Sequence, residues 1–411
     1  MIFLLSNFIV SAADSALIAD SLRANAQKGD VFSQIKLGEE FLYGVNRTRN
    51  LNLAFYYFNM AATQNSEIGY FYLGFCTEYG YGTTCNPILA YQYYEKAIAL
   101  DEAKFKIALM LEKGIRGGKF DRKYYKSVEQ NKTKSRELID LLVQKKYPPA
   151  MVKKGEELFF SKEITPESGM YIFELFSEAA ELNDVQAKKY LVDCYLMGIG
   201  TKQDEDKAFK LAEELYNSKN SGIAGKLGRF YEFGIGVMPD MAKAIKLYTE
   251  AAAEGDSVAK VKIAEQYLSG FYLPTDLQKA LEILHSEMKN NNPDAIKLLG
   301  DCFMKGVGID KDEKQAFNFY LRAATLGNIE AQYELAKCFR NGRGTPIDEG
   351  AVFFWLKQAS AAGKIDCMRE LAECYINGYG TKQDLKFAEK LLLECAKKGD
   401  KKADLILKEV F

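Results

Sequence analysis

The sequence predicts an all-α protein, a right-handed solenoid of about ten stacked antiparallel helix pairs. Two observations carry that prediction. First, six Gly-x-Gly pairs fall on one ruler: Gly80/Gly82, Gly198/Gly200, Gly234/Gly236, Gly306/Gly308, Gly342/Gly344 and Gly378/Gly380. From Gly198 the steps are 36, 72, 36 and 36, Gly270 lies midway in the long step, and Gly44 precedes Gly80 by 36. Second, the residues between the glycines repeat column by column. A fixed period of this size marks units that each bury their apolar face on a neighbour.

The first helix of each unit runs up to its turn glycine. Seven residues before that glycine stands an aliphatic residue: Leu37, Leu73, Leu191, Leu227, Ile263, Leu299, Leu335 and Leu371. Six before, the residue is small, namely Gly38, Gly74, Gly228, Gly300, Ala264, Ala336 or Ala372, with Val192 the exception. Three before, it is aromatic in Phe41, Tyr195, Tyr231, Tyr267, Phe303, Phe339 and Tyr375, with Thr77 deviating. Spacings of three and four return to one helix face. The small residue lets a neighbouring helix come close, and the glycine supplies the left-handed residue that ends a helix.

The second helix has its own small-residue seam. Alanine recurs ten residues after the glycine, at Ala54, Ala90, Ala208, Ala244, Ala280, Ala316 and Ala388. It recurs again seven further on, at Ala61, Ala97, Ala251, Ala323 and Ala359. The helix ends 21 residues after the turn, at Gly255, Gly327, Gly363 and Gly399 or at Asn65, Asn183 and Asn291. Glycine and asparagine share a tolerance of positive φ, so this column reads as a helix C-cap.

The combined pattern, A-x-x-x-L-G-x-x-Y-x-x-G-x-G followed by K-A-x-x-x-Y-x-x-A-A-x-x-G, resembles the SEL-one-like repeat family of tetratricopeptide-like α-solenoids. Its best copies are Lys226 to Gly255 (KLGRFYEFGIG…KAIKLYTEAAAEG) and Glu330 to Gly363, and the resemblance covers Phe32 to Asp400. Plain tetratricopeptide repeats have a 34-residue period, which does not fit. The chain accordingly divides into an N-terminal apolar segment with a capping helix (1–31), the repeats (32–400) and a C-terminal capping helix (401–411).

Composition excludes several classes. With 55 basic and 56 acidic residues the net charge is −1, so no overall bias toward nucleic acid exists and no DNA is expected. No apolar stretch is long enough to predict a membrane-spanning helix. The opening MIFLLSNFIVSAA joins an apolar run to a small-residue site, like a signal peptide, but lacks a basic start. The alternative is a short apolar helix docking on the first repeat. The expectation is a cytoplasmic protein, or a secreted or ER-luminal one if Met1–Ala13 is cleaved. The tripeptides Asn46-Arg47-Thr48 and Asn131-Lys132-Thr133 are glycosylation sequons only in the second case.

No constellation for chemistry is found. Five of the eight cysteines, Cys76, Cys194, Cys302, Cys338 and Cys374, share one register four residues before the turn glycine. Stacked helices lie about 8–10 Å apart, beyond the roughly 7 Å reach of a disulfide. They read as reduced core residues, while Cys85, Cys367 and Cys395 stand outside the register. Some secreted members of the resembled family carry paired cysteines, a framework this chain does not reproduce. His285 is the one histidine and has no recurrent acidic partner, so it reads as a helix-surface residue. The Gly-x-Gly turns lack the preceding strand and third glycine of a dinucleotide site. Nothing joins a nucleophile, a base and an orienting group. The expectation is no catalytic residue, no metal and no cofactor.

One stretch breaks the ruler. Gly80 to Gly198 spans 118 residues, ten more than three periods, and the excess follows Gly114. The insertion at about 115–134 reads as a basic loop, GIRGGKFDRKYYKSVEQNKTK, with the next helix pattern starting near Ser135. Lys104 to Lys154 holds 15 basic and 5 acidic residues, so a neutral total conceals a basic band. Arg116, Lys119, Arg122, Lys123, Tyr124, Tyr125 and Lys126 are the candidate binding residues, for an acidic protein tail, a phosphoinositide or RNA. The competing reading is a solvated loop.

The family resemblance implies a non-catalytic adaptor that binds proteins or extended peptides on a concave face, as relatives do in endoplasmic-reticulum quality control and host interaction. A secreted or luminal recognition subunit is the alternative, and a hydrolase a weaker one.

Overall fold

The computed structural model describes residues 21–120, 123–219 and 222–411. They form helices that pack in antiparallel pairs, an α-solenoid, divided into two compact units, Met1–Asp204 and Glu205–Phe411. In the first unit, residues 21–27 are helical. There follow the pair α1 (Val31–Tyr43) with α2 (Leu51–Thr63) and the pair α3 (Glu67–Tyr79) with α4 (Pro87–Lys96). Next come α5 (Asp101–Lys113), strands β1 (Gly118–Phe120) and β2 (Lys123–Tyr125), then α6 (Lys132–Gln144). The pair α7 (Pro148–Phe159) and α8 (Pro166–Glu181) and helix α9 (Val185–Met197) complete it. The second unit opens with α10 (Glu205–Asn217). It continues with the pairs α11 (Ala224–Phe233) and α12 (Met241–Ala253), α13 (Ser257–Ser269) and α14 (Leu277–Lys289), and α15 (Pro293–Lys305) and α16 (Glu313–Thr325). Pairs α17 (Ile329–Asn341) with α18 (Glu349–Ala361) and α19 (Ile365–Asn377) with α20 (Leu385–Lys397) precede the last helix, α21 (Lys401–Val410).

The helix boundaries follow from the residue columns. The turn glycines Gly44, Gly80, Gly198, Gly234, Gly270, Gly306, Gly342 and Gly378 all have φ between 67° and 73°. Asn65, Asn183 and Asn291 hold the left-handed position after the second helix, as do Gly255, Gly327, Gly363 and Gly399. An Asx side chain opens most second helices: Asn50, Asp240, Asp276, Asp348 and Asp384 each accept from the backbone N–H three residues on.

Packing within a pair depends on two columns. A Cβ on Gly74, Gly228 or Gly300 would stand 2.7, 2.9 or 2.7 Å from the ring of Tyr94, Tyr248 or Tyr320. Gly38 lies equally close to Phe58, and Gly155 to Phe176. The ring lies on bare backbone, and these tyrosines are almost fully buried. Where the first-helix residue is Ala264, Ala336 or Ala372, the second-helix residue is Leu284, Leu356 or Leu392, in the same buried clusters. A larger residue on one helix is matched by a smaller one on the other, which keeps the seam close-packed.

Packing between pairs uses aromatic edges. The aromatic three residues before the turn glycine meets a phenylalanine of the preceding pair. Tyr195 meets Phe173, Tyr231 meets Phe209, Phe339 meets Phe317, and Tyr375 meets Phe353. Ring centroids are 5.2–5.6 Å apart and planes cross at 78–90°. This is the edge-to-face geometry favoured by the ring quadrupole.

The basic insertion is a β-hairpin, and the expectation of a loop is corrected. Gly118 pairs with Tyr125, Lys119 with Tyr124 and Phe120 with Lys123. An antiparallel bridge joins Ile115 to Val128 below the strands. Ile115 and Val128 pack on the core formed by Ala90, Tyr94 and Leu111, so apolar side chains root the hairpin. Helix α6 begins at Lys132, three residues before the expected start, because the Asn131 side chain caps it through Lys134 N–H.

The inter-pair rings provide a test. Phe317→Leu and Phe339→Leu should each destabilise the second unit, and the double variant should lose less than the sum. The expected coupling is about 0.5–1.5 kcal/mol. Unfolding can be followed by the fluorescence of Trp355, which packs against both neighbouring cores. Strictly additive losses would show that the edge-to-face contact contributes nothing specific.

Candidate interaction surface

The surface is built from the polar and aromatic residues of the first helices, from the hairpin, and from what surrounds each. On the first helices, tyrosine hydroxyls and lysines converge on carboxylates. The Tyr94 hydroxyl donates to Glu78 (2.6 Å) and Lys106 Nζ donates to the same carboxylate (3.0 Å). Tyr248 and Lys262 do likewise at Glu232 (2.5 and 2.8 Å). Tyr320 and Lys297 share Asp301 (2.8 and 2.7 Å). Burial, with the carboxylate beside it, holds each of these phenols protonated far above the ordinary tyrosine range. The buried rings are thus anchored at their polar ends, and the carboxylates are already committed.

The last residue of most first helices faces outward; in α7 it is the half-buried Phe159, which packs against Phe176 and Tyr190. In the first unit this column holds the exposed Tyr43, Tyr79 and Met197. Tyr79 stacks on Tyr81 at 5.7 Å and against Phe75 at 4.9 Å. Lys106 Nζ lies 5.0 Å from the Tyr79 centroid, and the Arg49 guanidinium lies 5.7 Å from that of Tyr81. The result is an aromatic platform edged by cations. In the second unit the column holds Phe233 and then the polar residues Ser269, Lys305, Asn341 and Asn377. The turn after α13 has Tyr272 where other repeats have the second glycine. At Gly82, Gly236, Gly344 and Gly380 a Cβ would strike the backbone carbonyl of Leu51, Glu205, Glu313 or Glu349, so a side chain does not fit that packing. Phe271 and Tyr272 are instead 84% and 56% exposed.

The sequence-predicted binding residues gather at the hairpin. Arg116 and Lys126 are exposed at its base, and Tyr125 is half-buried beside Tyr93 of α4. Lys119, Lys123 and Tyr124 lie on the paired strands, and Arg122 lies outside the described residues. The Ser127 hydroxyl accepts from Gly117 N–H (2.9 Å) and Gln130 Nε2 donates to the Glu112 carbonyl (2.8 Å), which ties the base to α5. The charge count hid a division among the basic residues around the hairpin. Lys104, Lys106, Lys145, Lys146, Lys153 and Lys154 are paired with Asp101, Glu78, Asp101, Glu178, Glu112 and Asp140. Among the described residues, Lys113, Arg116, Lys126, Lys132, Lys134 and Arg136 form no ion pair. Periodicity carries little signal of this, because Lys106, Lys146 and Lys153 pair with carboxylates 28, 32 and 41 positions away, whereas Lys104 pairs locally with Asp101.

The remaining candidates are structural. His285 is half-buried on α14 beside an open groove of about 490 Å³, shared with Gln278, Leu281, Glu282 and Gly308. Among the described residues no group of three or more His, Cys, Asp or Glu is placed to hold a metal ion. No described helix is long and apolar enough to cross a membrane. Asn46 of the first sequon has φ 62° and donates to Glu40 (3.3 Å), and Asn131 of the second is the cap of α6. All eight cysteines are free, and seven are buried, including Cys367 and Cys395. Burial pushes the thiols of Cys76 and Cys194 up to about 12 and those of Cys302, Cys338 and Cys374 to about 11.

Known proteins match this arrangement. The Sel1 repeat family model matches residues 31–66, 68–102, 193–219, 225–256, 257–286, 293–328, 329–364 and 365–400. An uncharacterized Sel1-like repeat-containing protein of Schizosaccharomyces pombe is 29% identical over 177 residues, which is 41% of this chain and 26% of that protein. The chain therefore spans about a quarter of that relative's length. The crystal structure of a protective antigen of uropathogenic Escherichia coli with an SLR fold aligns over 95% of this chain and 89% of its own. It is 20% identical, with a TM-score of 0.51, a likeness of fold alone. A Sel1 repeat protein from Oxalobacter formigenes is 25% identical over 60% of this chain and 99% of its own, with a TM-score of 0.50. The matched segments leave out 103–192, the stretch that contains the hairpin.

Thiol reactivity tests this placement. In native protein Cys85 should react with an alkylating or disulfide reagent within the first phase, and the seven buried thiols should follow slowly. All eight should react together after denaturation. Fast native reaction of Cys302, Cys338 or Cys374 would contradict the buried register.

Proposed function

The chain belongs to the Sel1 repeat family, and on that premise we propose that it is a non-catalytic scaffold that holds partner proteins on its helical-repeat surface. Sel1 and tetratricopeptide-like solenoids are folds on which other proteins and peptides bind. One observation supports the reading most directly. The carboxylates of the first helices and the phenols of the second are locked in hydrogen bonds to one another, while the exposed column beside them carries Tyr43, Tyr79, Met197 and Phe233. Committed polar groups do no chemistry, and rigid aromatic side chains on a fixed helical frame favour recognition.

The basic hairpin is the second contact in this reading. It connects α5 to α6 within the third helix pair of the first unit, the pair that follows the one carrying Tyr79. An acidic partner would meet Arg116 and Lys126 at its base and the basic residues of its strands.

The test is partner recovery from the protein's own cells. Tagged wild-type protein should retain a defined set of proteins, and Tyr43→Ser with Tyr79→Ser should lose part of that set without loss of helix content. Partners held through the hairpin should elute as salt rises, because exposed charges are screened over about 8 Å at physiological ionic strength. Recovery of the same proteins by the double variant and by wild type, with no salt dependence, would remove the surface from the account. A turnover that purifies with the protein and disappears on a single polar substitution would overturn the non-catalytic reading.

A further inference from the structure

The basic band is divided by its ion pairs, and the division locates a docking site. Six cations of residues 104–154 are paired with carboxylates of their own or adjacent repeats, at 2.8–3.1 Å. The same stretch leaves Lys113, Arg116, Lys126, Lys132, Lys134 and Arg136 without an ion pair among the described residues, and all six are exposed. They come from three consecutive elements: the end of α5, the base of the hairpin and the first turns of α6. The hairpin base fixes their spacing, through the Ile115–Val128 bridge and the Asn131 N–H bond to the Leu111 carbonyl (2.8 Å).

This arrangement opposes local stability. The first turn of α6 contains no acidic residue and carries Lys132 and Lys134, although the partial positive charge of a helix start favours carboxylates there. Like charges held on one rooted edge repel one another, and none of the six makes an ion pair with a described carboxylate, Glu129 and Glu137 of the same stretch included. The site also lies in the stretch that the Sel1 repeat pattern does not match.

We propose that this edge, centred on Arg116, Lys126 and Lys134, binds an acidic protein segment, with carboxylates of the partner supplying the missing counter-charges. The proposal rests on the scaffold reading and names the partner chemistry of one of its surfaces. Charge complementarity selects an anion. The surroundings favour a peptide over single-stranded RNA, which relies on open aromatic faces for base stacking. Tyr125 is half-buried beside Tyr93, and the platform of the exposed Tyr79 and the half-buried Tyr81 already meets Phe75, Arg49 and Lys106.

Two variants of the full chain remove equal charge from different places. The first carries Arg116→Gln, Lys126→Gln and Lys134→Gln. The second carries Lys145→Gln, Lys153→Gln and Lys154→Gln, taken from the paired set. Binding of a fluorescent Asp/Glu-rich peptide is measured at low and physiological salt, beside oligouridylate RNA and phosphatidylserine vesicles, with helix content checked by circular dichroism. The expected result is peptide binding that weakens with salt, falls about tenfold or more in the first variant, and changes less than about threefold in the second; a tenfold loss corresponds to about 1.4 kcal/mol. Equal losses in both variants would show bulk attraction and overturn the site. Tighter binding of RNA or vesicles than of peptide would overturn the partner class, and absence of peptide binding would overturn the proposal outright. If partner recovery from cells survives any of these failures, the scaffold reading stands without this site.

Discussion

The approach of two helices within each pair is the constraint on which the rest of this protein depends. A tyrosine or phenylalanine of the second helix lies flat on the backbone of a first-helix glycine, closer than any Cβ allows. The hydroxyl then reaches past the seam to a carboxylate on the first helix, and a lysine of that pair or the next secures the same carboxylate. Where the glycine becomes alanine the ring becomes leucine. The volume of the seam is conserved while its chemistry changes. Each pair therefore presents a similar platform to its neighbours, and edge-to-face rings can recur between pairs at nearly constant distance and angle.

Local packing of this kind leaves the outer residues free to vary. Stability in a repeat protein is close to a sum over units and their neighbours. A departure in one repeat stays local, as at Tyr272, where a side chain replaces the close-packed glycine and two aromatic residues stand in solvent. The same tolerance accommodates the hairpin. Its root is an apolar bridge on an existing core, so ten residues beyond the period enter without disturbing the seam of α5 and α6.

Most of the fold was legible in the sequence because backbone demands repeat. Positive φ after the second helix admits glycine or asparagine, and both appear in that column. The in-register cysteines read as core, and they are buried and free. Other features require two columns to be read together. The match of Gly74 with Tyr94 and of Ala336 with Leu356 lies in the sequence, yet neither column alone reveals it. The hairpin was missed because its strands are three residues long and rich in lysine, with no alternation for a period to detect. The candidate surface was legible only as net charge. Several of the lysines are spent on carboxylates in neighbouring repeats, as Lys153 is on Glu112 and Lys106 on Glu78, and local spacing does not encode those contacts.

A double-mutant cycle at Gly300 and Tyr320 tests the central constraint most directly. Gly300→Ala forces a methyl group into the ring and should cost roughly 1–3 kcal/mol by overpacking. Tyr320→Leu removes the ring and its bond to Asp301 and should be destabilising as well. If the two columns share one volume, the double variant recreates the Ala/Leu seam of the other repeats. Its loss should fall short of the sum by about 0.5–3 kcal/mol, the range for residues in contact. A double variant whose loss equals the sum of the two single losses would contradict the account, because glycine and ring would then contribute independently and the spacing of the pair would have another cause.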